Sequence, residues 1–548
     1  NLKYGGDWEL ENTQQNIKNI YFNDLIENYS STLDTTTISS NTNISQSDIE
    51  SYIFPVTING GTQENPINIK FTGNLNLQAS QFFIIQSEYI TIDGQNNTVN
   101  FIPYDGENTS NTNGLIQNGI FPESEEPEFI SGYSNINIKN IGITNVGITN
   151  DQNVNLNQTQ GWLCQKDFGF AIDDENILID NCYATGAISG RDAGGIAGQN
   201  LGRNMSNSSS ITIQNCYIIG AITGGDAGGI IGGRLGVQME GGSITIKNCY
   251  TTGEISGENA GGITGSDLGY SMEDASITIQ NCYTTGAITG FQAGGIVGNF
   301  LGFEMSGGSI TIQNCYTTGA ISGVSAGGIA GQDLGNSMQN GPITIQDCHT
   351  TGAITGKDAG GIAGKELGNS MTGGQIIIQN CYATGAIDSD APEPAGGIIG
   401  GRLGLQMNGG SITIQNCYTT GAIKGEGGVG GIAGGGLGFQ MSNGSITIQN
   451  CYAAGEISGE GAGGITGIYL GVAMSNGSIT IQNCYSTGDI TDDGAGGIAG
   501  QDLGYLMNGG SITIQNNMYN NNGGKPLIGS ISERNYLTNI NNYPLIKF

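Results

Sequence analysis

The chain of 548 residues contains 97 Gly but only 10 Pro, and charged residues make up 11% of it. Globular domains average roughly 25% charged residues, so this composition argues against an ordinary compact enzyme. The formal charge is −31 with only 16 Lys and Arg, which excludes a nucleic-acid partner because phosphate backbones are bound by clustered cations. Since the Gly residues follow no three-residue period, collagen is excluded too, and a repetitive β architecture is predicted.

The N-terminal segment is polar. Residues 1–50 are rich in Asn, Ser and Thr, and we expect them to form a cap. They begin Asn-Leu-Lys-Tyr-Gly-Gly, without an initiator Met or an apolar signal core, from which we expect a processed N-terminus. No stretch of the chain approaches the roughly 18 to 20 apolar residues that span a bilayer, so no transmembrane segment is predicted.

Residues 51–180 carry short apolar runs without a strict period. Examples are Ile69–Phe71, Phe83–Ile85 and Ile136–Ile141. Runs this short, rich in β-branched and aromatic residues, are typical of strands. We interpret this segment as irregular β-helix coils.

A repeat of about 33 residues fills residues 181–516. Its clearest marker is Cys, which recurs at intervals of 33 or 34 residues and once of 36. The ten cysteines of this column are Cys182, Cys216, Cys249, Cys282, Cys315, Cys348, Cys381, Cys417, Cys451 and Cys484. Met follows Cys by 23 residues in eight copies. Tandem units of this length predict a solenoid or a propeller, in which each copy buries its apolar face against its neighbours.

The repeat unit itself favours the solenoid. It reads Ser-Ile-Thr-Ile-Gln-Asn-Cys-Tyr-Thr-Thr-Gly-Ala-Ile-Ser-Gly, followed by Ala-Gly-Gly-Ile-Ala-Gly and Leu-Gly. Short apolar runs bounded by Gly predict three or four strands per copy, with Ile inward and Ser, Thr and Gln outward, and without the four alternating strands of a propeller blade. We predict an all-β fold, a parallel β-solenoid (β-helix) of ~33-residue repeats with terminal caps, the C-terminal one at 517–548. At roughly 4.8 Å per coil, ten repeats form a rod of roughly 48 Å.

Two motifs resemble known families. Gly-Gly-Ile-Ala-Gly-Gln-Asn-Leu-Gly at 194–202 and its copies resemble the GLUG-type repeat of large surface adhesins. The segment Tyr89–Val99, which reads Tyr-Ile-Thr-Ile-Asp-Gly-Gln-Asn-Asn-Thr-Val, resembles an opening coil of pectate-lyase-like right-handed β-helices. The Asn- and Ile-rich repeats are also similar to those of surface proteins of giant DNA viruses. The repeat resemblance covers residues 180–520 and implies a surface protein, and it implies no catalytic residues.

The cysteines are interpreted as packing residues. The chain has no Cys-x-x-Cys pair and one His, so no metal site and no cofactor are predicted. Cys side chains stacked in register have an awkward geometry for disulfides, so we expect a buried column of free thiols, with inter-coil disulfides as the alternative. Cys164 lies off the column, either as an odd thiol or as a partner of Cys182.

Other repeated positions are also interpreted as structural. The Asn before each Cys is expected at a bend, with its amide stacked on the amides of neighbouring coils. This column includes Asn215, Asn248, Asn281 and Asn314. The single His349 stands where the other copies have Tyr, which argues against catalysis by His. The Gly-rich segment opens no helix, so it is not predicted to bind phosphate.

Nine Asn-X-Ser/Thr sequons are candidate sites of N-glycosylation in a secreted protein, and several of them are expected by chance in a chain this rich in Asn, Ser and Thr. They are Asn28, Asn43, Asn96, Asn108, Asn157, Asn204, Asn207, Asn443 and Asn476.

Three functions are compatible with this organisation. The first is a non-catalytic structural or adhesive protein of an extracellular or particle surface, a fibre, coat layer or stalk that associates with itself or with other coat proteins. The second is a module that binds glycan, or ice through the outward Thr ladder. The third is a polysaccharide-degrading β-helix enzyme, which needs carboxylates on one face. The carboxylates available to it in the irregular segment are Asp93, Asp105, Asp173, Asp174 and Glu175.

Overall fold

The fold is a parallel β-solenoid, as the sequence predicts. The computed structural model describes residues 35–545 apart from 105–106, 108, 120–131, 146–152, 390–392, 493, 522–523, 533–536 and 541. Every strand pairing in these residues is parallel, and the pairs join each coil to the coils before and after it. One helix, Gln46–Ser51, lies in the first coil, where Ser45 and Asp48 form a capping box at its N-terminus.

The first sheet runs the length of the described solenoid. Its strands are Thr42–Ile44, Ile67–Phe71, Ile90–Ile102, Ile136–Thr144, Asn176–Asp180, Ser210–Gln214, Ser243–Lys247, Ser276–Gln280, Ser309–Gln313, Pro342–Gln346, Gln375–Gln379, Asn408–Gln415, Asn443–Gln449, Ser478–Gln482, Ser511–Gln515 and Leu537–Ile540. Identical residues face one another in the repeats, so that Thr212, Thr245 and Thr278 form the start of the predicted outward ladder. Ile377 interrupts the ladder by pairing with Thr344.

The second sheet follows the first around a corner. Its strands are Leu75–Gln78, Tyr183–Ala184, Tyr217–Ile218, Tyr250–Thr251, Tyr283–Thr284, Tyr316–Thr317, His349–Thr350, Tyr382–Ala383, Tyr418–Thr419, Tyr452–Ala453, Tyr485–Ser486, Met518–Asn520 and Tyr543–Leu545. The long strands Ile90–Ile102 and Ile136–Thr144 turn the corner and contribute to both sheets.

Two further sides of the solenoid are held by shorter strands and by single bridges. The Ala-Ile-Ser side has the strands Thr109–Thr112, Asn153–Leu156, Ile354–Thr355, Ile387–Ser389, Ile423–Gly425, Ile457–Ser458 and Ile490–Thr491. The Gly-Gly-Ile-Ala side has the strands Thr37–Ile38, Val56–Ile58, Phe83–Ile85, Ile116–Asn118, Ala363–Leu367 and Ile399–Leu403. Between these strands, bridges such as Gly261 to Gly294 keep the coils in register.

The core is a stack of inward Ile side chains. In the strand Ser276–Gln280, Ile277 and Ile279 are fully buried while the side chains between and beside them reach the surface. Full burial of an Ile side chain contributes about 1.5–3 kcal/mol, and each first-sheet strand from Ile67–Phe71 to Ser511–Gln515 repeats the same inward pair. The alternation in the sequence therefore identifies the inner face directly.

The coils lie too close together for side chains at some positions. Stacked Tyr rings place successive coils 4.8–5.0 Å apart. A Cβ atom at Gly286 would fall well inside 3.0 Å of the carbonyl oxygen of Gly253 in the preceding coil. Gly in the Thr-Thr-Gly step is thus required by the spacing of the coils.

The corner between the two sheets has a left-handed backbone. Asn215, Asn248 and Asn281 have φ of 56°, 55° and 54°. Asn tolerates this region better than other residues with a Cβ. The backbone therefore turns at the Asn column.

The tail continues the solenoid beyond the repeats. Leu537–Ile540 pairs with Ser511–Gln515, and Tyr543–Leu545 pairs with Met518–Asn520. These strands lack the Cys-Tyr marker, so the sequence pattern did not reveal them. At the other end, residues 1–34 of the expected cap lie outside the described residues, and the first paired strand begins at Thr37.

Candidate functional site

The column cysteines are buried and free. All ten lie at the corner beside the Asn column, and Cys164 is buried on the Gly-Gly-Ile-Ala side, where it bridges to Ile116 and Ala197. The Cys315 thiol donates to the carbonyl of Gln313, at 3.3 Å, and to that of Ile279 in the preceding coil, at 3.7 Å. Burial raises the pKa of the Cys164 thiol, which disfavours the reactive thiolate. Burial and hydrogen bonds to backbone carbonyls suit the column thiols to a packing role.

An aromatic ladder lines the second sheet. From Tyr183 to Tyr418 successive rings stack in parallel with centroids 4.6–5.1 Å apart. His349 lies within this ladder, 5.1 Å from the ring of Tyr316 and 4.6 Å from that of Tyr382. Burial lowers the pKa of His349, so its imidazole is neutral in the stack.

Amide side chains form two further ladders. In the Asn column, the Nδ2 of Asn281 donates to the Oδ1 of Asn248 at 3.2 Å. In the first sheet, the Nε2 of Gln313 donates to the Oε1 of Gln280 at 2.8 Å. The same Gln bond recurs in each step from Gln313 to Gln515, always from the later coil to the earlier one.

The carboxylates considered for a polysaccharide enzyme are not gathered into one site. Asp93 lies at the C-terminal end of a first-sheet strand segment, where it accepts from Asn140 at 2.9 Å and lies 3.7 Å from Lys139. Asp173, Asp174 and Glu175 precede the N-terminal end of the strand Asn176–Asp180. Asp93 therefore lies where a first-sheet strand segment ends, whereas Asp173, Asp174 and Glu175 lie where such a strand begins. Asp105 lies outside the described residues.

The Asp173–Glu175 segment contains one unusual carboxyl group. Asp173 accepts from Ser206 at 2.9 Å, and Asp174 accepts from the backbone of Ser208 at 3.1 Å. The Oε2 of Glu175 is buried without a hydrogen-bond partner. Burial, with Glu88 as a further negative charge, raises the pKa of Glu175. The raised pKa makes Glu175 the carboxyl group to test for proton donation, for which glycoside hydrolysis would also require a second carboxylate.

Acidic residues at the turns of the Gly-Gly side are held by cations of the same side. Arg191 contacts Asp226 at 2.8 Å, and burial followed by the charge of Asp226 raises the pKa of Asp192 to about 6. Burial and the charge of Glu366 raise the pKa of Asp333 to about 6. In the described residues, no group of three or more His, Cys, Asp or Glu has the arrangement of a metal site.

Asn43 and Asn443 lie in first-sheet strands, and the other described sequons occupy the corner or turns between strands. Asn43, Asn96, Asn207, Asn443 and Asn476 are exposed, whereas Asn157 and Asn204 are half-buried. Asn28 and Asn108 lie outside the described residues. Glycosylation at the exposed positions stays a prediction.

A groove crosses several coils on the side formed by the Leu-Gly turns, and no repeated sequence position marks it. It encloses a cavity of about 400 Å³. Two Arg and three aromatic side chains line it, namely Arg203, Arg234, Tyr270, Phe300 and Phe303. The sequence offers one indication of this groove, because three of the five Arg in the whole chain fall within residues 191–234.

The chain was compared with family models, curated proteins and solved structures. No family model matches the chain, and no curated protein matches it. Among solved structures, the chain is similar to one titled "Structure of PL6 family alginate lyase AlyGC", at 9% identity and a TM-score of 0.19, over 93% of this chain and 96% of that one. So low a TM-score carries no argument about function. Within the described residues, no helix is long and apolar enough to cross a bilayer.

Proposed function

We propose that the chain is a non-catalytic structural or adhesive rod of an extracellular or particle surface, which forms a fibre, a coat layer or a stalk. The observation that carries the proposal is the register of the first sheet, in which the same residues face each other from coil to coil. A solenoid in which each unit contacts only its neighbours gains length without changing its cross-section. Length with a constant surface is what a fibre or a stalk requires.

The repeated polar side chains support the same function. Asn and Gln amides bond along the axis, and Tyr rings stack along it. Thr284 of the second sheet faces inward and donates to the carbonyl of Gly295 across the coil, at 2.6 Å. The residues that recur most regularly therefore hold coils together, which is a mechanical role.

The acidic surface is suited to a protein that faces solvent or other coat components. The chain carries 47 Asp and Glu against 16 Lys and Arg. Such an excess keeps rods apart by repulsion, so side-by-side association would depend on cations or on a partner of opposite charge. We propose self-association or binding to other coat proteins as the alternatives to be distinguished.

Electron microscopy of the native source material tests the proposal. An antibody raised against residues 181–516 should label fibres or a continuous surface layer on a cell or a particle. Antibody pre-absorbed with the purified protein is the matched control and should remove the label. Label confined to dispersed single rods would contradict the fibre, coat and stalk alike.

The absence of catalysis is tested on the purified protein. Incubation with neutral and uronate-containing polysaccharides should release neither reducing ends nor unsaturated products. A product that appears with the protein and disappears with the Glu175→Gln variant would overturn the non-catalytic part of the proposal.

A further inference from the structure

The groove on the Leu-Gly side follows the axis of the rod. Backbone hydrogen bonds place Val237, Tyr270 and Phe303 at the same position in successive coils, because Gln238 donates to the carbonyl of Tyr270 and Ser271 to that of Phe303. Arg203 holds this position in the preceding coil, since Asn204 donates to Val237. The groove therefore spans four coils, or three steps of about 4.9 Å. A pyranose ring is close to one step in length.

One wall of the groove is aromatic. The rings of Tyr270 and Phe303 stack with centroids 5.5 Å apart and an interplanar angle of 11°, and Phe300 meets Phe303 edge-on at 5.5 Å. In the next two coils the position of Phe303 is taken by Asn336 and Asn369, so the wall is local. Partly exposed rings of this kind bind the apolar C–H face of a sugar or another flat apolar group.

Phe300 occupies an unfavourable backbone conformation. Its φ is 54°, at the position that Asp267 holds in the preceding coil. A bulky residue is rarely found in this left-handed region, and such strain concentrates at functional sites. The strain places an aromatic ring in the groove at a turn where Asp or Asn would be easier.

The other wall is cationic. Arg203 lies over the ring of Phe170 at 5.8 Å, and its Nε is buried without a hydrogen-bond partner in the structure. Arg234 is 54% exposed, with its Nε 3.9 Å from Asp267. The cavity lining thus carries two positive charges and one negative charge, in a chain whose formal charge is −31. The excess positive charge of this lining favours an anion, although Asp192 and Asp267 both lie near Arg234.

We propose that this groove binds an acidic glycan, with a sugar carboxylate on Arg203 and Arg234 and a neighbouring pyranose ring against Tyr270 and Phe303. The guanidinium fork matches a carboxylate in geometry and charge, and aromatic faces match the apolar side of the sugar. Exposed Gln238, which lines the same groove, is available to the sugar hydroxyls. The site adds a ligand to the rod and does not depend on whether the rod assembles into a fibre.

Titration calorimetry with a matched pair of oligosaccharides tests the proposal. The probes are a hyaluronan tetrasaccharide, in which glucuronate alternates with N-acetylglucosamine, and chitotetraose, its neutral counterpart. The folded full-length protein should bind the acidic probe at least about ten-fold more tightly than the neutral one. Binding of the acidic probe should weaken as salt is added.

Variants assign the binding to the groove. Arg203→Gln should weaken binding of the acidic probe about ten-fold, and Phe303→Leu should weaken it several-fold. Lys424→Gln, which removes an exposed cation elsewhere, is the charge-matched control and should bind as the wild type does. If Arg203→Gln fails to fold, Arg234→Gln replaces it as the test variant, because Arg234 is exposed and also lines the groove.

Three results would overturn the proposal. They are equal binding of the two probes, binding of neither, and equal affinities of the Arg234→Gln and Lys424→Gln variants. None of these results affects the labelling of fibres in the native material, so the failure of the glycan site and the failure of the structural function are distinguishable.

Discussion

Replacing Gly286 with Ala tests how tightly the coils are stacked. The new Cβ would approach the carbonyl oxygen of Gly253 far inside the 3.0 Å that Cβ atoms keep, so the coil must shift by more than about 1 Å. Thr285 donates to Thr251 at 3.1 Å and Thr289 to Ile255 at 2.8 Å, and such a shift would lengthen both bonds beyond good geometry. Two ladder bonds at about 1 kcal/mol each, with overpacking of about 1–3 kcal/mol, give a loss of about 3–5 kcal/mol.

Gly225→Ala is the matched control. Only the carbonyl oxygen of Glu258 lies near its added Cβ, at 3.7 Å, and Glu258 itself occupies the equivalent position one coil later. The control should be neutral or stabilising by up to about 1 kcal/mol, because Ala lowers the entropy of the unfolded chain. Guanidinium unfolding followed by circular dichroism measures both variants, and hydrogen exchange localises the change to the coils around residue 286. Stabilities that agree within about 0.5 kcal/mol would refute the argument from coil spacing.

Three other outcomes follow from the corner, the thiols and the buried carboxyl groups. In the folded protein the ten column thiols should not react with Ellman's reagent, whereas all eleven cysteines should react in denaturant, and several fast-reacting thiols in the native state would contradict their burial. Asn248→Ala should lower the free energy of unfolding by about 1–3 kcal/mol and Asn248→Gly by less, because only Ala opposes a φ of 55°, and equal losses in chemical denaturation would count against the strained corner. The pKa of Asp333 is raised to about 6, so the folded state binds the proton of this carboxyl group more tightly than the unfolded chain does. The contribution of this proton to the free energy of unfolding is therefore complete below about pH 4 and is lost as the pH rises through 6. The free energy of unfolding of the Asp333→Asn variant, measured relative to wild type by thermal unfolding, should therefore rise by about 1–3 kcal/mol from pH 4 to pH 7.5. The same difference for the exposed control Asp388→Asn should not change.

The sequence predicts the fold because its local pattern and its long-range contacts coincide. In a solenoid the partner of each residue lies one repeat away, so the Cys spacing also gives the strand register, as the pairing of Thr245 with Thr278 demonstrates. The inward Ile, the left-handed Asn corner and the Tyr column follow from the same alignment. The terminal coil at Leu537–Leu545 escaped prediction because its residues do not repeat the unit.

The groove could not be predicted in the same way. Its residues lie at turn positions that differ from copy to copy, so no repeat marks them. Backbone preferences even argue against Phe300 at a left-handed position. Only the stacked coils show that Arg203 and Phe303, 100 residues apart in sequence, line one cavity.

The Gln ladder gives the rod a direction. Every amide from Gln313 to Gln515 points its N–H toward the earlier coil and its oxygen toward the later one, and the Asn amides at the corner point the same way. Aligned amide dipoles add along the axis, with the positive pole at the N-terminal end and the negative pole at the C-terminal end. Two rods that meet head to tail would continue this alignment, whereas two that meet head to head would oppose like poles. A filament grown from these rods would therefore have two chemically different ends.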